Sequence, residues 1–245
     1  MASAIHYAAT LRTLTPLGAL PDAALNTLLS QAHSHSYPKG QPLFNQGDAV
    51  GHVAIILSGW VKLTRTSASG TEAVLDVLST GHILGLQHFF AGTPHPCHAI
   101  VAEDAEILSI SATLLPPLLA QHPALTLAFL QTLAQEKNAL EQELEGRALQ
   151  NAAERLGCFL LRLVPPAQHK STQPIEIKLP FDKTLIAARL GMKPETFSRA
   201  LASLKKELNL RINGSHITIP RVGVLTKQSC ASCSGVFPCY QRNCR

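Results

Sequence analysis

The hydrophobic positions of the chain follow a helical period near the N-terminus and a strand-like pattern after it. A short helix is predicted from about Pro21 to Ser30, where Leu25, Leu28 and Leu29 share one face. The runs VAIIL, WVKLT and AVLDVL then alternate with turn residues, and AEILSIS looks like a closing strand. Short strands at this spacing predict a small antiparallel sandwich or barrel. Three glycines, interpreted as turns, recur every eleven residues in this region: Gly59, Gly70 and Gly81.

A different period begins at Leu125, in a segment rich in Glu, Gln, Ala and Leu. Its apolar residues follow 3–4 spacing, which predicts a long helix that packs against a copy of itself. The alternative is an amphipathic helix that lies on its own domain, and Lys137 and Arg147 interrupt the apolar stripe. Four leucines are the predicted dimer contacts: Leu130, Leu133, Leu140 and Leu144.

The C-terminal third resembles a winged helix in its order of elements. After the Pro-rich connector RLVPPAQHKSTQP, IEIKLP alternates like a strand. Two helices follow in FDKTLIAARLGMKPETFSRALASLKKELNL, where Gly191 permits a tight turn and Pro194 suits the first turn of the second helix. Asn213-Gly214 lies between apolar alternations and predicts a hairpin, the wing.

The second helix of this motif has a polar face with the chemistry of base recognition. Arg199 can donate two hydrogen bonds to guanine, Glu195 can accept one from cytosine, and Ser198 suits several base edges. The sequence therefore predicts binding to the major groove of DNA. The apolar face consists of Phe197, Leu201 and Leu204. Thr196 and a set of basic residues complete the predicted DNA contacts, the basic residues against phosphate: Lys183, Arg189, Lys193, Lys205, Lys206, Arg211 and Arg221. A solvated, salt-bridged helix face is the alternative for the flanking lysines.

Composition and charge narrow the class of protein. The chain has 245 residues, 46% of them apolar, a net charge of +5 and a pI near 9.0, which mildly favours polyanionic partners. No apolar run has the length of a membrane helix, and the N-terminus lacks the features of a secretory signal, so we expect a cytoplasmic protein without a membrane partner. Nothing resembles a nucleophile–base pair or a paired-carboxylate site, so we do not expect an enzyme.

The order of strands, long helix and winged helix resembles the CRP/FNR family of bacterial transcription regulators over nearly the full chain. PETFSR is similar to the E-x-x-S-R recognition-helix motif of the FNR branch. The resemblance implies an α+β fold with an N-terminal cyclic-nucleotide-binding-like β-roll (a jelly roll), a long dimerisation helix and a C-terminal winged helix-turn-helix. It also implies a homodimer on palindromic double-stranded DNA with TTGAT-like half-sites, and RNA polymerase as a further partner. The predicted boundaries are residues 1–20 for an N-terminal extension, 21–114 for the β-roll, 115–150 for the dimerisation helix, 151–225 for the DNA-binding domain and 226–245 for a cysteine-rich tail.

The β-roll segment departs from the cyclic-AMP-binding members of the family. Those members use a Gly-Glu pair for the ribose and an Arg-Ser or Arg-Thr pair for the cyclic phosphate. Here Gly85 precedes Leu86, and His95-Pro96 stands near the phosphate position. A buried phosphate without a guanidinium would be poorly compensated, so we do not expect cAMP binding. A haem is the alternative ligand, although histidines in such a loop are also common surface residues. The candidate residues lie close together in sequence: His82, His88, His95, Cys97 and His98.

Four of the six cysteines lie in the last sixteen residues: Cys230, Cys233, Cys239 and Cys244. Four thiolates can hold an iron–sulfur cluster or a tetrahedral zinc ion. The first three match the C-x2-C-x5-C spacing of the oxygen-sensing FNR proteins, which implies a 4Fe-4S cluster moved to the C-terminus and a redox, oxygen or nitric oxide sensor. Cys244 is the expected fourth ligand, with Cys97 as a substitute. A thiol–disulfide switch or an unliganded tail remains open, whereas a thiol oxidoreductase lacks its usual strand–helix context.

Overall fold

The computed structural model describes residues 7–68, 70, 72–179 and 182–232. The chain divides into two compact units, Met1–Ala134 and Gln135–Arg245. The division falls inside the long helix rather than at one of its ends. The predicted α+β architecture, an antiparallel β-roll with a long helix and a C-terminal helix-turn-helix, is confirmed.

The helices of the first unit surround one face of its sheet. The leucines of the predicted short helix are buried, as expected, and Leu11 and Leu17 of the predicted N-terminal extension belong to the same core. The part of the extension that contains Leu11 and Leu17 is therefore part of the domain. The helices are α1 (Ala8–Leu14), α2 (Asp22–Ser30), α3 (Leu86–Ala91), α4 (Leu115–Gln121) and α5 (Pro123–Leu149), with 3-10 turns at Pro16–Ala19 and Ala112–Leu114.

The sheet of the first unit is antiparallel. Its strands are β1 (His33–Tyr37), β2 (Pro42–Phe44), β3 (His52–Thr66), β4 (Glu72–Leu78), β5 (Ile83–Leu84) and β6 (His98–Ser111). The strand order is β1-β6-β3-β4, with β2 paired to β6 and β5 paired to β3. Alternate residues of β3 and β6 enter two separate apolar clusters, as expected for a two-sided sheet.

One prediction within this sheet is wrong. VAIIL and WVKLT belong to the single strand β3, and Gly59 is a bulge inside it rather than a turn. Gly59 has φ +83, and a Cβ there would lie 2.2 Å from the carbonyl oxygen of Asp104. The bulge shifts the alternation by one residue, because Ile56 before it and Val61 after it face the same cluster.

The second unit contains the C-terminal part of α5 and the winged helix. Its other helices are α6 (Ala152–Arg162), α7 (Lys183–Arg189), α8 (Pro194–Leu208) and α9 (Val222–Ser229), with a 3-10 turn at Pro166–Gln168. Its strands are β7 (Ile175–Lys178), β8 (Arg211–Asn213) and β9 (His216–Ile219), in the order β7-β9-β8. Asn213 pairs with His216, so the hairpin loop is Gly214-Ser215, one residue later than predicted. Helix α9 includes residues that we assigned to the tail.

Helices α6 and α9 pack in close contact at Gly157. A Cβ on Gly157 would lie 2.0 Å from the buried Ser229 Oγ and 3.2 Å from Leu225 Cδ1, so the approach requires a glycine. Asn151 and Glu154 form a capping box at the start of α6. Cys158 on this helix is half-buried, with Arg162 Nη2 3.6 Å from its sulfur.

Helices α4 and α5 meet at a bend of 118°. Among the described residues, no single helix is long and apolar enough to cross a membrane. These two helices, with the turn before them, pass that test of length and composition only when counted together.

Candidate functional site

Helix α8 is built so that its buried stripe fixes which residues face outward. Lys193 is its N-cap and Pro194 its first residue, where the missing N–H of proline costs no helical hydrogen bond. Phe197, Leu201 and Leu204 are buried, as predicted. The opposite face is therefore held towards solvent.

This exposed face carries the predicted base-reading residues. Glu195, Ser198 and Arg199 are all exposed, and their spacing of three and four residues places them on one side of α8. Thr196 is half-buried beside them. Within the described part of the chain, neither Glu195 nor Arg199 enters an ion pair, so both side chains can engage an outside partner.

Exposed cations flank the helix-turn-helix. Lys183 begins α7, behind the N-cap Asp182, whose Oδ1 accepts a hydrogen bond from the Leu185 N–H at 2.8 Å. Gly191, at φ +63, makes the turn into α8. The exposed basic residues are Lys183, Lys193, Lys205, Lys206, Arg211 and Arg221. Their charge favours a polyanion at this surface.

Arg189 differs from the other basic residues that we assigned to phosphate. Its Nη1 donates to Glu143 Oε1 on α5 at 2.6 Å, and its side chain is only 17% exposed. Arg147 Nη2 donates to the same oxygen at 2.7 Å. Burial alone would raise the pKa of Glu143, but the hydrogen bonds and charges of Arg189 and Arg147 hold that pKa below its usual value. Arg189 therefore serves an internal ion pair, which the sequence pattern did not reveal.

The predicted dimer stripe on α5 is largely solvent-exposed. Leu130, Leu140 and Leu144 are between 57% and 59% exposed, and Leu133 is half-buried. Lys137, which interrupts the stripe, forms an ion pair with Glu141 one turn later on the same helix. Large exposed leucines in a row mark a surface that gains free energy when covered.

His95 lies in the part of the β-roll where the cyclic-AMP-binding members of the family would hold the cyclic phosphate. The imidazole is only 4% exposed and stacks on Phe44 with ring centroids 3.6 Å apart. Its Cε1 would lie 3.2 Å from a Cβ on Gly85. Burial lowers the pKa of His95, the neighbouring His88 lowers it further, and Asp48 opposes both effects. The Nδ1 atom of His95 has no hydrogen-bond partner within the described structure. The lowered pKa favours the neutral imidazole at this position.

The other histidines near His95 do not form one metal site with it. His82 Nδ1 contacts the backbone of Ser79, and His98 Nδ1 accepts from the Gln46 N–H at 3.3 Å. His88 approaches His95, with ring centroids 6.4 Å apart. No group of three or more possible metal ligands occurs among the described residues.

Two cysteines that we considered as ligands can be placed. Cys97 is buried, and burial raises the pKa of its thiol while Arg65 opposes the rise, so it resembles an inert packing thiol. Cys230 is half-buried at the C-cap of α9, where its N–H donates to the Thr226 carbonyl at 2.9 Å. Cys233, Cys239 and Cys244 lie outside the described residues.

Comparisons with known proteins match both units. A cyclic nucleotide-binding domain profile covers residues 34–122, and a Crp-like helix-turn-helix domain profile covers residues 154–227. The Cyclic AMP receptor protein of Thermus thermophilus is 26% identical over 197 residues, which span 80% of this chain and 88% of that protein. The Global nitrogen regulator of Synechocystis sp. is 27% identical over 195 residues, which span 79% and 87% of the two chains. The solved structure of a putative cyclic nucleotide binding protein from Ruegeria pomeroyi is 32% identical, with a TM-score of 0.65, 94% of this chain covered and 99% of that chain.

Proposed function

Because the chain belongs to the CRP/FNR family of transcription regulators, we propose that it binds palindromic DNA as a homodimer under the control of a C-terminal metal centre rather than cAMP. The observation that carries this proposal is the exposed face of α8, with Glu195, Ser198 and Arg199 on a helix whose other face is buried. This arrangement suits the major groove, where bidentate donors and short polar groups distinguish base pairs.

The DNA-binding part is tested by two substitutions that act differently. Arg199→Ala removes a predicted base contact, so we expect it to cost about 1–3 kcal/mol on the specific site and to relax preference at one base position. Lys193→Ala removes a predicted phosphate contact, so it should weaken binding to all DNA sequences equally. It should also reduce the slope of log affinity against log salt concentration by about 1. Anisotropy titrations on TTGAT-like inverted repeats and scrambled DNA measure both effects. A uniform loss for Arg199→Ala would contradict direct readout.

The homodimer explains why leucines at a regular interval stay exposed on α5. Two copies that pair along this stripe would bury it and would present two recognition helices related by a two-fold axis. That symmetry matches an inverted repeat. RNA polymerase is the further partner that a regulator of this class engages at promoters.

The donor set at the C-terminus supports an iron–sulfur cluster as the control element. Four thiolates are soft ligands that suit iron–sulfur clusters or zinc, and Cys230 follows directly on α9 of the DNA-binding unit. A bound 4Fe-4S cluster would supply a centre that oxygen, nitric oxide or other oxidants can destroy. The residues that would hold it are Cys230, Cys233, Cys239 and Cys244.

Anaerobic purification with iron, zinc and sulfide analysis tests this assignment. We expect a broad iron–sulfur absorbance that Cys233→Ser abolishes and that the matched control Cys158→Ser retains. Full iron content in Cys233→Ser would refute the assignment, zinc without sulfide would replace it by a zinc site, and a Soret band would replace it by a haem.

The buried imidazole of His95 supports a protein that cAMP does not activate. A cyclic phosphate would have to displace an aromatic stack, and the nearby guanidinium of Arg65 already donates to the Pro96 carbonyl at 3.0 Å. We therefore expect cAMP to leave DNA affinity unchanged. A clear increase in affinity with cAMP would refute this part of the proposal.

A further inference from the structure

We infer that the ion pair between Glu143 and Arg189 is a positioning contact that sets the half-site spacing accepted by the dimer. The inference rests on the proposed function, a homodimer on inverted repeats. Glu143 lies on the dimer helix α5, and Arg189 is the last residue of α7, the helix before the turn into α8. The contact therefore joins the dimer helix to the reading motif.

The geometry of the contact is that of a strong charge-assisted pair. Arg189 Nη1 and Glu143 Oε1 are 2.6 Å apart, and the two side chains are 17% and 20% exposed. Only four residues separate Arg189 from the first residue of α8, Pro194. A shift of Arg189 would therefore move the start of the recognition helix.

The same turn of α5 carries the dimer stripe. Leu144 directly follows Glu143, which places the two side chains about 100° apart around the helix. The exposed leucines Leu140 and Leu144 would contact the partner copy, while Glu143 holds α7. One turn of α5 thus carries both the proposed dimer contacts and the contact with the helix-turn-helix.

A second attachment keeps the winged helix joined to the end of α5 when this pair is broken. Gln150, between α5 and α6, donates from Nε2 to the carbonyl of Ser229 at 3.0 Å, and Arg155 Nη1 donates to the Gln150 carbonyl at 2.8 Å. Loss of the ion pair should therefore leave the domain folded and attached. Its orientation relative to α5 would no longer be fixed.

Orientation matters because two half-sites must be read at once. Recognition helices of a two-fold dimer enter successive major grooves about 34 Å apart. A rigid link between α5 and α7 allows one separation, and a loose link allows several. The ion pair would therefore affect spacing preference and leave base preference intact.

The test compares two arginines that bind the same carboxylate oxygen. Arg189→Met breaks the contact between α5 and α7, whereas Arg147→Met breaks only a contact within α5. Each purified, metal-reconstituted dimer is titrated with inverted repeats of one half-site at several spacer lengths, and with an isolated half-site. For Arg189→Met we expect the preference for the best spacing to fall about tenfold, which corresponds to ~1.4 kcal/mol, with half-site affinity unchanged. Arg147→Met should keep the wild-type preference.

Glu143→Gln retains the size of the side chain and removes its charge, so it should lose spacing preference like Arg189→Met. The far-ultraviolet circular dichroism of Glu143→Gln reports whether its DNA-binding domain is folded. Unchanged spacing preference in Glu143→Gln and Arg189→Met, with palindrome binding intact, would overturn the inference alone. A wild-type protein indifferent to inverted repeats would overturn the proposed function and the inference together.

Discussion

Gly157 lies where α9 packs directly against α6, and its replacement by alanine tests that packing. The added Cβ would lie 2.0 Å from Ser229 Oγ and 3.0 Å from Ser229 Cβ. Rotation of the serine side chain could relieve the first contact but not the second. Helix α9 would therefore have to move away from α6.

Two opposing effects decide the size of the change in stability. Alanine in a helix interior is favoured over glycine by about 1 kcal/mol. Overpacking of a well-packed interior costs about 1–3 kcal/mol. Ser229 is fully buried and has no open space to enter, so the upper part of this range applies. We expect Gly157→Ala to destabilise the second unit by about 1–2 kcal/mol.

The chain offers a matched control and a rescue. Gly223 lies in the first turn of α9, and a Cβ there meets nothing within 4 Å, so Gly223→Ala should stabilise by at most about 0.5–1 kcal/mol. Ser229→Ala removes the clashing oxygen, a buried hydroxyl without a hydrogen-bond partner in the described structure. We therefore expect Ser229→Ala to restore part of the stability lost in Gly157→Ala, because the contact with the Cβ of residue 229 remains.

Denaturant unfolding can separate the two units. The single tryptophan, Trp60, lies in β3 and reports on the first unit, whereas far-ultraviolet circular dichroism also follows the helices of the second. Gly157→Ala should shift the dichroism transition and leave the Trp60 transition in place. If Gly157→Ala proves as stable as Gly223→Ala, the close approach of α6 and α9 is refuted.

Three further predictions concern the sheet, the β-roll histidine and the dimer stripe. Gly59→Ala combines the strain of a left-handed backbone with a close contact to the backbone of Asp104, so it should lower the free energy of unfolding followed by Trp60 by about 2–4 kcal/mol. Gly47→Ala has the same backbone strain but open space around it, so it should cost about 1 kcal/mol. Equal losses in the two variants would contradict the bulge. Because burial and His88 lower the pKa of His95, the unfolded chain takes up a proton near the ordinary value of 6.5 that the folded chain resists. The denaturant midpoint of the transition followed by Trp60 should therefore fall as the pH drops below 6.5. His95→Phe should make this fall with pH shallower and leave the part due to His88, and an unchanged pH dependence would refute the prediction. Leu144→Lys should dissociate the dimer, as measured by light-scattering chromatography, because each leucine buried in the dimer contributes about 1.5–3 kcal/mol to the free energy of association. Leu149→Lys should leave the dimer intact, because Leu149 is equally exposed but lies off the stripe.

Elements with a long, one-sided apolar pattern were predictable from sequence. The helix around Leu25, the long helix α5 and the buried stripe of Phe197 on α8 follow from spacing alone, because helical burial repeats every three to four residues. The exposed face of Glu195 and Arg199 follows from the same spacing. These residues needed no knowledge of distant parts of the chain.

The features that sequence reasoning missed depend on contacts between distant residues. A glycine such as Gly59 indicates positive φ, but only the partner strand β6 distinguishes a bulge from a turn. Arg189 looks like any basic residue near DNA, and its partner Glu143 is 46 positions away. His95, in a Pro-rich polar loop, resembles a surface residue until Phe44 is brought against it.

The bulge at Gly59 links the number of residues in β3 to the direction of its side chains. Ile56 and Val61 lie five positions apart, a spacing that regular pairing would place on opposite faces, and the irregular pairing from Ile56 to Val61 brings both side chains to the same apolar cluster. A regular strand of the same length would turn Val61 and Leu63 outward, although no apolar side chain had been lost. Homologous chains in which β3 is regular at this point should therefore differ from this chain by one residue between Ile56 and Val61.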